Sequence, residues 1–502
     1  MRRALCMVLI LCILSCVFSL SSLAEEKGEI SVEPINFENR DFIKGMDISS
    51  LISLEEASVK FFDENGKEDD LLRILRKNGV NYLRVRVWND PFDENGNSYG
   101  GGHNDIETAC LLAGRAAKYG LKLLIDFHYS DFWADPAKQK APKDWENYTV
   151  DQKCDAIREF TTSSLKKIIA SGGDIGMVQI GNETTTGICG VTARADMAKL
   201  FKAGAEAVRK IDENILVALH FTNPECTAYM KGLADFLDRY QVDYDVFASS
   251  YYPYWHGSLE NLKDVFDYVA ETYHKYTIVA ETSYAYTLED TDGHPNTVNR
   301  WNNMLGDDLL WEFSPQGQAD ELRAVMNAVN SIEDQKGLGV FYWEGAWIAV
   351  SDLSGLSGKE YTEQLNRNKA LWEQYGCGWA SSYAKEYNPD DAGRYYGGSA
   401  VDNQAFFDAR GRALPSLKAF LKISGYERSY LLGDADDDDS VTIVDATSIQ
   451  KHLASITFLD EIGSLAADIE NTDKVSILDA TYIQRHLASY TVPYEIGGIR
   501  FC

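Results

Sequence analysis

Between residues 41 and 422, short apolar runs alternate with longer segments in which apolar residues recur at helical spacing. Two of the helical segments read EDDLLRILRKNG and IETACLLAGRAAKYG, the second ending at Gly120. Continuous apolar strands joined by helices are typical of parallel sheets buried on both faces. Eight such units in succession predict an α/β fold, a (β/α)8 TIM barrel rather than a doubly wound sheet. The eight predicted strands are FIKGMDIS, NYLRVRVW, LKLLIDFHY, IGMVQIGNE, ILVALHF, YDVFASSYY, YTIVAETSY and LGVFYWE.

Each predicted strand ends in a polar or aromatic side chain. In barrels of this kind the chemistry lies at the C-terminal ends of the strands, so these residues are candidates for a functional site. The start of a solvated loop explains any one of them as well, but it explains eight together less easily. The residues are Asp47, Arg86 with Trp88, His128, Asn182 with Glu183, His220, Tyr251, Glu281 and Trp343.

From about Gly433 the pattern changes to a repeat. The segment GDADDDDSVTIVDATSIQKHLAS is followed 34 residues later, from Asp445 to Asp479, by ADIENTDKVSILDATYIQRHLAS. Both copies share the core D-A-T-x-I-Q-[KR]-H-L-A-S, in which an acidic loop runs directly into a helix. The repeat predicts a second, small all-α domain.

The N-terminus has the pattern of a secretory signal. Arg2 and Arg3 precede the apolar run ALCMVLILCILSCVFSL, and small residues lead to a cleavage site after Ala24. An uncleaved anchor helix is the alternative, and Cys16 fits a lipoprotein signal poorly because apolar sequence follows it. We therefore expect a secreted, extracellular protein that is not held in a membrane once the signal is removed. The predicted parts are the signal peptide 1–24, a leader 25–40, the barrel 41–425, a short linker 426–432, the repeat domain 433–493 and a C-terminal tail 494–502.

Composition narrows the set of partners. The chain has 502 residues and a formal net charge of -29, which argues against nucleic acid and anionic membranes and favours a soluble secreted protein or a cation binder. Nine cysteines are present, three of them within the signal. The other six form no C-x-x-C pair, so neither a zinc site nor a disulfide framework is predicted. Buried free thiols are expected, and one incidental disulfide stays open.

Two carboxylates at strand ends suggest a reaction. Glu183 and Glu281 would end strands four and seven, at opposite sides of the barrel mouth. Glycoside hydrolysis uses two carboxyl groups flanking one bond, one protonated and one ionised. A separation of about 5–5.5 Å would give retention of configuration. Asn182 would hold the 2-hydroxyl of the sugar, and tryptophans near strand ends would pack against sugar faces.

A polar turn after strand seven suggests a calcium ion. The segment EDTDGHPNT places Asp290, Asp292, His294 and Asn296 at alternate positions around a glycine. Oxygen ligands at this spacing suit calcium, with His294 contributing its backbone carbonyl. A polar turn without an ion is the alternative.

The repeat resembles EF-hand calcium loops, in which side chains at positions 1, 3, 5, 9 and 12 bind the ion. Asp439 and Asp473 stand at position 6, where glycine is usual. An acidic solvated tail is the alternative, and the matched helices make it the weaker one. The expected ligands are Asp434, Asp436, Asp438, Thr442 and Asp445 in the first loop, and Asp468, Glu470, Thr472, Ser476 and Asp479 in the second.

Several blocks of the barrel region resemble the signatures of glycoside hydrolase family 53, the arabinogalactan endo-β-1,4-galactanases. They are GMDISS, GVNYLRVRVWNDP, DFHYSDFWADPAKQ, QIGNETTTG, VAETSYAY and GGSAVDNQAFFD. The resemblance implies that Glu183 is the acid/base and Glu281 the nucleophile, acting on galactan or arabinogalactan without an organic cofactor. It implies one calcium ion in the barrel, with Ser399 and Asp402 completing the turn described above. It also places Asp47, Arg86, Trp88, His128, Asn182, Tyr251 and Trp343 around the sugar, with Arg84 as an alternative to Arg86.

The repeat domain resembles a dockerin, the module that joins secreted enzymes to cohesins of a cellulosome scaffold. The resemblance implies one or two calcium ions in the module and a cohesin as its partner. In the second loop Thr472 replaces the usual acid, which predicts weaker calcium binding there. The residues expected to face the partner are Ala446, Thr447, Lys451 and His452, with Ala480, Thr481, Arg485 and His486 as their equivalents.

Two other functions remain open from sequence. The alternatives are that the barrel acts on another β-linked plant polysaccharide such as mannan or xylan, or that it binds carbohydrate without activity. Both carboxylates are present beside Asn182, which disfavours a purely binding role. The block DFHYSDFWADP after strand three favours galactan over the other polysaccharides by resemblance.

Overall fold

The structure is a computed structural model that describes residues 28–37, 39, 41–301, 309–389 and 397–502. The predicted signal peptide, residues 1–24, lies outside the described residues. Part of the predicted leader is described, and there Ile35 donates a backbone hydrogen bond to Ile423 at the end of the barrel region.

Eight parallel strands close into a barrel in sequence order, with β1 paired to both β2 and β8. This confirms the barrel prediction: seven of the eight predicted runs contain an observed strand, and β8 begins one residue before its predicted run. The strands are β1 Ile43–Asp47, β2 Tyr82–Val87, β3 Lys122–Phe127, β4 Ile175–Ile180, β5 Leu216–Phe221, β6 Val246–Ser250, β7 Tyr276–Thr282 and β8 Gly337–Tyr342.

Helices connect these strands and cover the outside of the barrel. The longest begins at a capping box in which the side chain of Thr149 accepts from Gln152, so its first turn is hydrogen-bonded at the N-terminus. The barrel helices are α1 Leu51–Glu56, α2 Leu71–Lys77, α3 Ile106–Lys118, α4 Val150–Ala170, α5 Arg194–Ile211, α6 Thr227–Arg239, α7 Leu259–Tyr273, α8 Pro315–Asn330, α9 Gly358–Tyr375 and α10 Ala419–Lys422.

The interior of the barrel is divided into an apolar layer and a polar layer. An apolar cluster built only from strand residues, among them Leu124, Met177 and Phe341, fills the barrel. Side chains two residues later on the same strands also point into the barrel. They include Arg84 on β2 and Asp126 on β3, both fully buried. The polar layer lies toward the C-terminal ends of the strands, beneath the mouth.

The repeat domain has its own small core and three helices. Ala446 and Ile449 pack with their equivalents Ala480 and Ile483, which follows from the repeat. The helices are α11 Ile443–Leu453, α12 Glu461–Ala467 and α13 Ile477–Leu487.

The segments predicted as linker and tail form a sheet of their own. β9 (Ser429–Leu431) pairs antiparallel with β10 (Ile499–Phe501). The sheet joins the two segments that flank the repeat domain, and the described residues 433–493 themselves contain helices and no strand. Periodicity gave no sign of this pairing, because each strand has only three residues.

Two further findings concern helices and cysteines. None of the helices in the described part of the chain is both long and apolar enough to cross a membrane. The six cysteines of the described residues are all free, and Cys154, Cys189 and Cys377 are buried. The expectation of buried free thiols holds for these three.

Candidate active site

A cleft of about 370 Å³ opens at the C-terminal ends of the strands. Both candidate carboxylates, Glu183 and Glu281, line it. The barrel thus brings together side chains that are almost a hundred residues apart in sequence. Among the other predicted site residues, those that line the cleft are Arg86, His128, Asn182 and Trp343.

Glu281, within β7, is held by a cation and a phenol. Its Oε1 lies 2.8 Å from Nη2 of Arg84, and its Oε2 accepts a hydrogen bond of 3.0 Å from the hydroxyl of Tyr252. Burial and nearby carboxylates raise the pKa of Glu281 overall, whereas the charge of Arg84 and the donation from Tyr252 lower it. Both contacts favour the ionised form, as a nucleophile requires.

Glu183 lacks such a cation in the described contacts. Its Oε1 accepts a hydrogen bond of 2.6 Å from the hydroxyl of Ser250, which lies 2.9 Å from Nε2 of His220. Burial and the charge of Glu281 raise the pKa of Glu183 to about 8. When two carboxyl groups share a site, one holds the charge and the other the proton. Because Arg84 pairs with Glu281, the proton belongs to Glu183.

The backbone at Glu183 is in an unusual conformation. The φ of Glu183 is +45°, and that of Gly181, two residues before it, is +83°. The chain therefore turns sharply where β4 ends. A non-glycine residue with positive φ is strained, and such strain needs support from its surroundings. Gln139 supplies some of it, because its Nε2 donates to the carbonyl of Asn182 at 2.8 Å. The backbone N–H of Thr184 also donates to the carbonyl of His220 at 2.8 Å.

Asn182 is fixed by hydrogen bonds on both sides of its amide. Its Oδ1 accepts from Nη2 of Arg84 at 2.8 Å, and its Nδ2 donates to the carbonyl of Ala134 at 2.9 Å. His128 is fixed as well, since the N–H of Ala134 donates to its Nδ1 and its Nε2 lies 3.0 Å from Asp126. With Nδ1 accepting, Nε2 is the ring nitrogen that faces Asp126.

Comparison with known proteins identifies the family to which the chain belongs. The model of Glycosyl hydrolase family 53 matches residues 43–420, which include the whole barrel and both carboxylates. The chain belongs to Glycosyl hydrolase family 53. An "Endo-beta-1,4-galactanase" of Bacillus subtilis (strain 168) is 54% identical over 392 residues, covering 78% of this chain and 88% of the relative. An "Arabinogalactan endo-beta-1,4-galactanase" of Cellvibrio japonicus is 30% identical over 327 residues, covering 62% and 82%.

A solved structure of a family 53 member agrees with this fold. The Ignisphaera aggregans GH53 catalytic domain superposes with a TM-score of 0.68 at 36% identity, covering 78% of this chain and 99% of that one. Residues 432–488 match the model of the dockerin type I domain. The family 53 barrel therefore carries a C-terminal dockerin.

Three residues predicted to surround the sugar do not line the family 53 cleft. Asp47 is fully buried and lies 3.0 Å from Arg84 and 3.2 Å from Arg86, so it supports the two arginines from below. Trp88 is fully buried with its ring centroid 5.1 Å from that of Trp133. Tyr251 turns away from the cleft and donates from its hydroxyl to the carbonyl of Gly257 at 3.2 Å.

Tyr252 takes the place predicted for Tyr251. Ser250 faces the cleft, and side chains alternate along an extended chain, so position 252 faces the same way. The register of β6 against β7 also shifts between Ser249 and Ser250. The sequence does contain the information, because Ser250 and Tyr252 are two residues apart and so face the same side. The prediction named Tyr251, the first tyrosine after the strand, instead.

The two arginines of the site, Arg84 and Arg86, lie at different depths and contact different partners. Arg84, the alternative considered from sequence, contacts Glu281 and Asn182 directly. Arg86 lines the cleft, is ion-paired with Glu344, and lies with its guanidinium 4.7 Å from the centroid of Trp133. Both are therefore part of the site, Arg84 beneath the reacting groups and Arg86 beside them.

An aromatic wall bounds one side of the cleft. Trp379 stacks on Trp133 at 4.6 Å, and Trp343 lies 6.2 Å from each of these rings. Sequence analysis missed Trp379, because it follows α9 in a loop and ends no strand. Trp347, by contrast, is fully buried and donates to the carbonyl of Cys377. Trp255 lines the cleft on the other side.

The turn after β7 brings three carboxylates together. Oxygen atoms of Asp290, Asp292 and Asp402 lie within 4.8 Å of one another. Burial raises the pKa of Asp402 to about 6 and that of Asp292 well above its ordinary value, as expected where carboxylates lack a cation. Oδ1 of Asn296 is buried without a hydrogen-bond partner, while its Nδ2 donates to Asp402 at 2.6 Å. A carboxylate cluster with an unpaired amide oxygen fits a calcium ion.

Two predicted ligands of this turn contribute differently. The side chain of Ser399 donates to the carbonyl of Trp347 at 3.1 Å, and its backbone N–H donates to Asp292. The N–H of His294 also donates to Asp292, and its ring packs 6.4 Å from Trp372. Their backbone carbonyl groups remain as oxygen donors, which for His294 is the contribution expected from sequence.

The first dockerin loop also gathers three carboxylates, Asp434, Asp436 and Asp445, within 4.8 Å. Asp438, predicted at position 5, is exposed and is not part of that group. The side chain of Thr442 caps α11 by accepting from the backbone N–H of Val444. This loop fits a calcium ion as predicted, with Thr442 serving the helix start.

The second loop repeats the backbone hydrogen bonds of the first but not its cluster. Asp479 accepts from Ile469 at 2.9 Å as Asp445 accepts from Ala435 at 2.7 Å. Ser476 caps α13 as its counterpart caps α11. Within the described part of the chain, Asp468, Glu470 and Asp479 do not form a three-carboxylate group, although they stand at the loop positions of the first cluster.

Proposed function

We propose that this protein is a secreted, retaining endo-β-1,4-galactanase that acts on galactan or arabinogalactan side chains of pectin. The observation that carries the proposal is the division of charge between Glu281, paired with Arg84, and Glu183, which retains the proton. The 54% identity to the Bacillus subtilis protein named endo-beta-1,4-galactanase supports the choice of galactan over mannan or xylan.

In the first step, the ionised Glu281 attacks the anomeric carbon while Glu183 gives its proton to the leaving oxygen. The bond to the leaving sugar breaks as the bond to Glu281 forms, so the product departs as an alcohol. Arg84 and Tyr252 hold the attacking carboxylate in place. Asn182, fixed by Arg84, is positioned to hold the 2-hydroxyl, a contact that strengthens in the transition state.

In the second step, Glu183 acts as a base and removes a proton from water. The water attacks the anomeric carbon, the bond to Glu281 breaks, and both carboxyl groups return to their starting states. Two inversions give overall retention. The pKa of about 8 keeps the proton on Glu183 in the free enzyme, and Glu183 acts as a base in the second step because it gave that proton to the leaving group in the first.

The test is product analysis on unbranched β-1,4-galactan, with the anomer followed by NMR. We expect short galacto-oligosaccharides that appear first as the β-anomer. Cleavage of xylan or mannan in place of galactan would refute the substrate assignment, and α-anomers appearing first would refute retention. A Glu183→Gln variant that binds galactan without cleaving it separates an enzyme from a carbohydrate-binding protein.

The dockerin module supports an extracellular, scaffold-bound location. Type I dockerins typically bind calcium, and the partner implied is a cohesin of a scaffold protein. We further propose calcium in the first dockerin loop, weaker calcium in the second, and one structural calcium at the Asp290, Asp292 and Asp402 cluster. A net charge of -29 is consistent with the absence of nucleic acid among the partners.

A further inference from the structure

One acidic side chain of the first dockerin loop contacts the barrel directly. Oδ1 of Asp439 lies 2.7 Å from Nζ of Lys77, and its Oδ2 lies 3.0 Å from Nζ of Lys67. Arg73 donates from Nη2 to the backbone oxygen of Asp439 at 2.9 Å. All three cations lie in residues 67–77, which include α2 and are called here the docking segment.

These contacts are partly withdrawn from solvent. The side chains of Arg73, Lys77 and Asp439 are 18%, 20% and 25% exposed, whereas that of Lys67 is 51% exposed. Ion pairs in such positions are screened less by salt than fully exposed pairs, and several cations around one carboxylate act as a network. The arrangement is therefore more than a single surface salt bridge.

The second copy of the repeat shows that the loop does not need these partners. Asp473 is the equivalent of Asp439, and their φ angles are +63° and +72°. The N–H of Asp473 donates to Asp468 as that of Asp439 donates to Asp434, at 2.7 and 2.9 Å. Asp473 is nevertheless exposed, and among the described ion pairs none involves it. The contacts of Asp439 thus come from the barrel and not from the fold of the loop.

A second contact reaches the same helix from the end of the chain. The guanidinium of Arg76, on α2, lies 5.0 Å from the ring centroid of Phe501 in β10. Phe501 also stacks on Tyr426 at 5.6 Å. The loop at the beginning of the dockerin and the strand at its end therefore both meet the docking segment.

We propose that the docking segment is a surface of the barrel that binds the enzyme's own dockerin and holds it in one orientation. α2 precedes the N-terminal end of β2, whereas the cleft lies at the C-terminal ends of the strands, so the dockerin is held away from the cleft. The docked arrangement leaves both repeat helices accessible. Ile443 at the start of α11 is 58% exposed and Ile477 at the start of α13 is 56% exposed.

The experiment is small-angle X-ray scattering of the full chain at saturating calcium, with Asp439→Asn and Asp473→Asn as a matched pair. Both changes keep the side-chain shape and remove one charge from the same position of each loop. We expect the wild type and Asp473→Asn to give the same compact curve. Asp439→Asn is expected to increase the maximum dimension by on the order of 10 Å, because the connection between α10 and β9, residues 423–428, spans roughly 13 Å once it is free.

A second variant tests the barrel side without touching the calcium loop. Lys67→Met combined with Lys77→Met removes two of the three cations and is expected to extend the molecule as Asp439→Asn does. It keeps the test valid if Asp439→Asn disturbs calcium binding. Identical scattering from the wild type and the double variant, or an extended wild type, would overturn the proposal. Scattering reports shape alone, so the result is independent of the substrate assignment.

Discussion

The hydroxyl of Ser250 donates a hydrogen bond of 2.6 Å to Oε1 of Glu183. A donor to an ionised carboxylate stabilises the charged form and lowers its pKa. In this site the donor opposes burial and the charge of Glu281, which together raise the pKa of Glu183 to about 8. Ser250 therefore lowers the pKa of the acid through its hydrogen bond to Glu183.

The pH dependence of the enzyme follows from this contact. Glu183 must be protonated in the free enzyme, so kcat/KM should fall as pH rises through about 8. Ser250→Ala removes the donor to the charged form and should move this basic limb to higher pH. Ser249→Ala is the control, because its hydroxyl donates to a backbone carbonyl instead. If the basic limb of Ser250→Ala stays at the pH of the wild type, Ser250 does not lower the pKa of Glu183.

Substitution of the two carboxylates should affect different steps. Glu183→Gln keeps the shape but removes the acid, and we expect kcat/KM to fall about 10²–10⁴-fold on galactan. Substrates with a leaving group that needs no proton should lose much less in the first step. Glu281→Ala should lose nearly all turnover, with azide restoring it through a glycosyl azide. Retained activity in Glu281→Ala would exclude it as the nucleophile.

Glu183 should also make stability depend on pH. Its pKa is about 8 in the folded protein against an ordinary value of 4.5, so folding favours the protonated form. This contribution is fully present below the ordinary pKa and is lost as pH rises toward 8. Glu183→Gln cannot ionise, so its Tm relative to the wild type should increase between about pH 5 and about pH 9. A constant difference in Tm across that range would contradict the shift.

Calcium should stabilise the barrel through the turn after β7. Chelation leaves Asp290, Asp292 and Asp402 close together without a counter-charge, so the Tm of the barrel should fall. Asp402→Asn should reduce the difference between calcium-loaded and chelated protein. Asp408→Asn is a control nearby in sequence, since in the described part of the chain its carboxylate accepts from Arg412 and from turn backbone groups and lies outside the carboxylate cluster. Equal Tm with and without calcium in the wild type would refute the site.

The two dockerin loops should differ in calcium affinity. Asp445→Ala removes one of three clustered carboxylates, whereas Asp479→Ala alters a loop without such a cluster. Titration calorimetry should show a tighter and a weaker site, with Asp445→Ala removing the tighter one. Chelation should unfold residues 430–493 and abolish cohesin binding, because the acidic loops then lack their cation. If chelation leaves the cohesin affinity unchanged, the module does not bind its partner as a calcium-dependent dockerin.

Sequence predicted the barrel well because its strands are buried on both faces and its helices repeat an apolar period. It also located Glu183 and Glu281, which follow from their positions at the ends of strands four and seven. It misplaced the tyrosine of the site, since the side that Tyr251 or Tyr252 faces depends on the phase of β6 and on a register shift between neighbours. Trp379 and the pairing of β9 with β10 depend on contacts between distant segments, which no local pattern records.

The left-handed backbone at Glu183 has a consequence for engineering. A glycine adopts a φ of +45° without steric cost, so this position favours a residue that cannot catalyse. Selection for heat resistance alone would therefore favour replacement of Glu183, and with it loss of the catalytic acid. Any screen that aims at a more durable enzyme should therefore score hydrolysis in every round, and should seek its gains away from the end of β4.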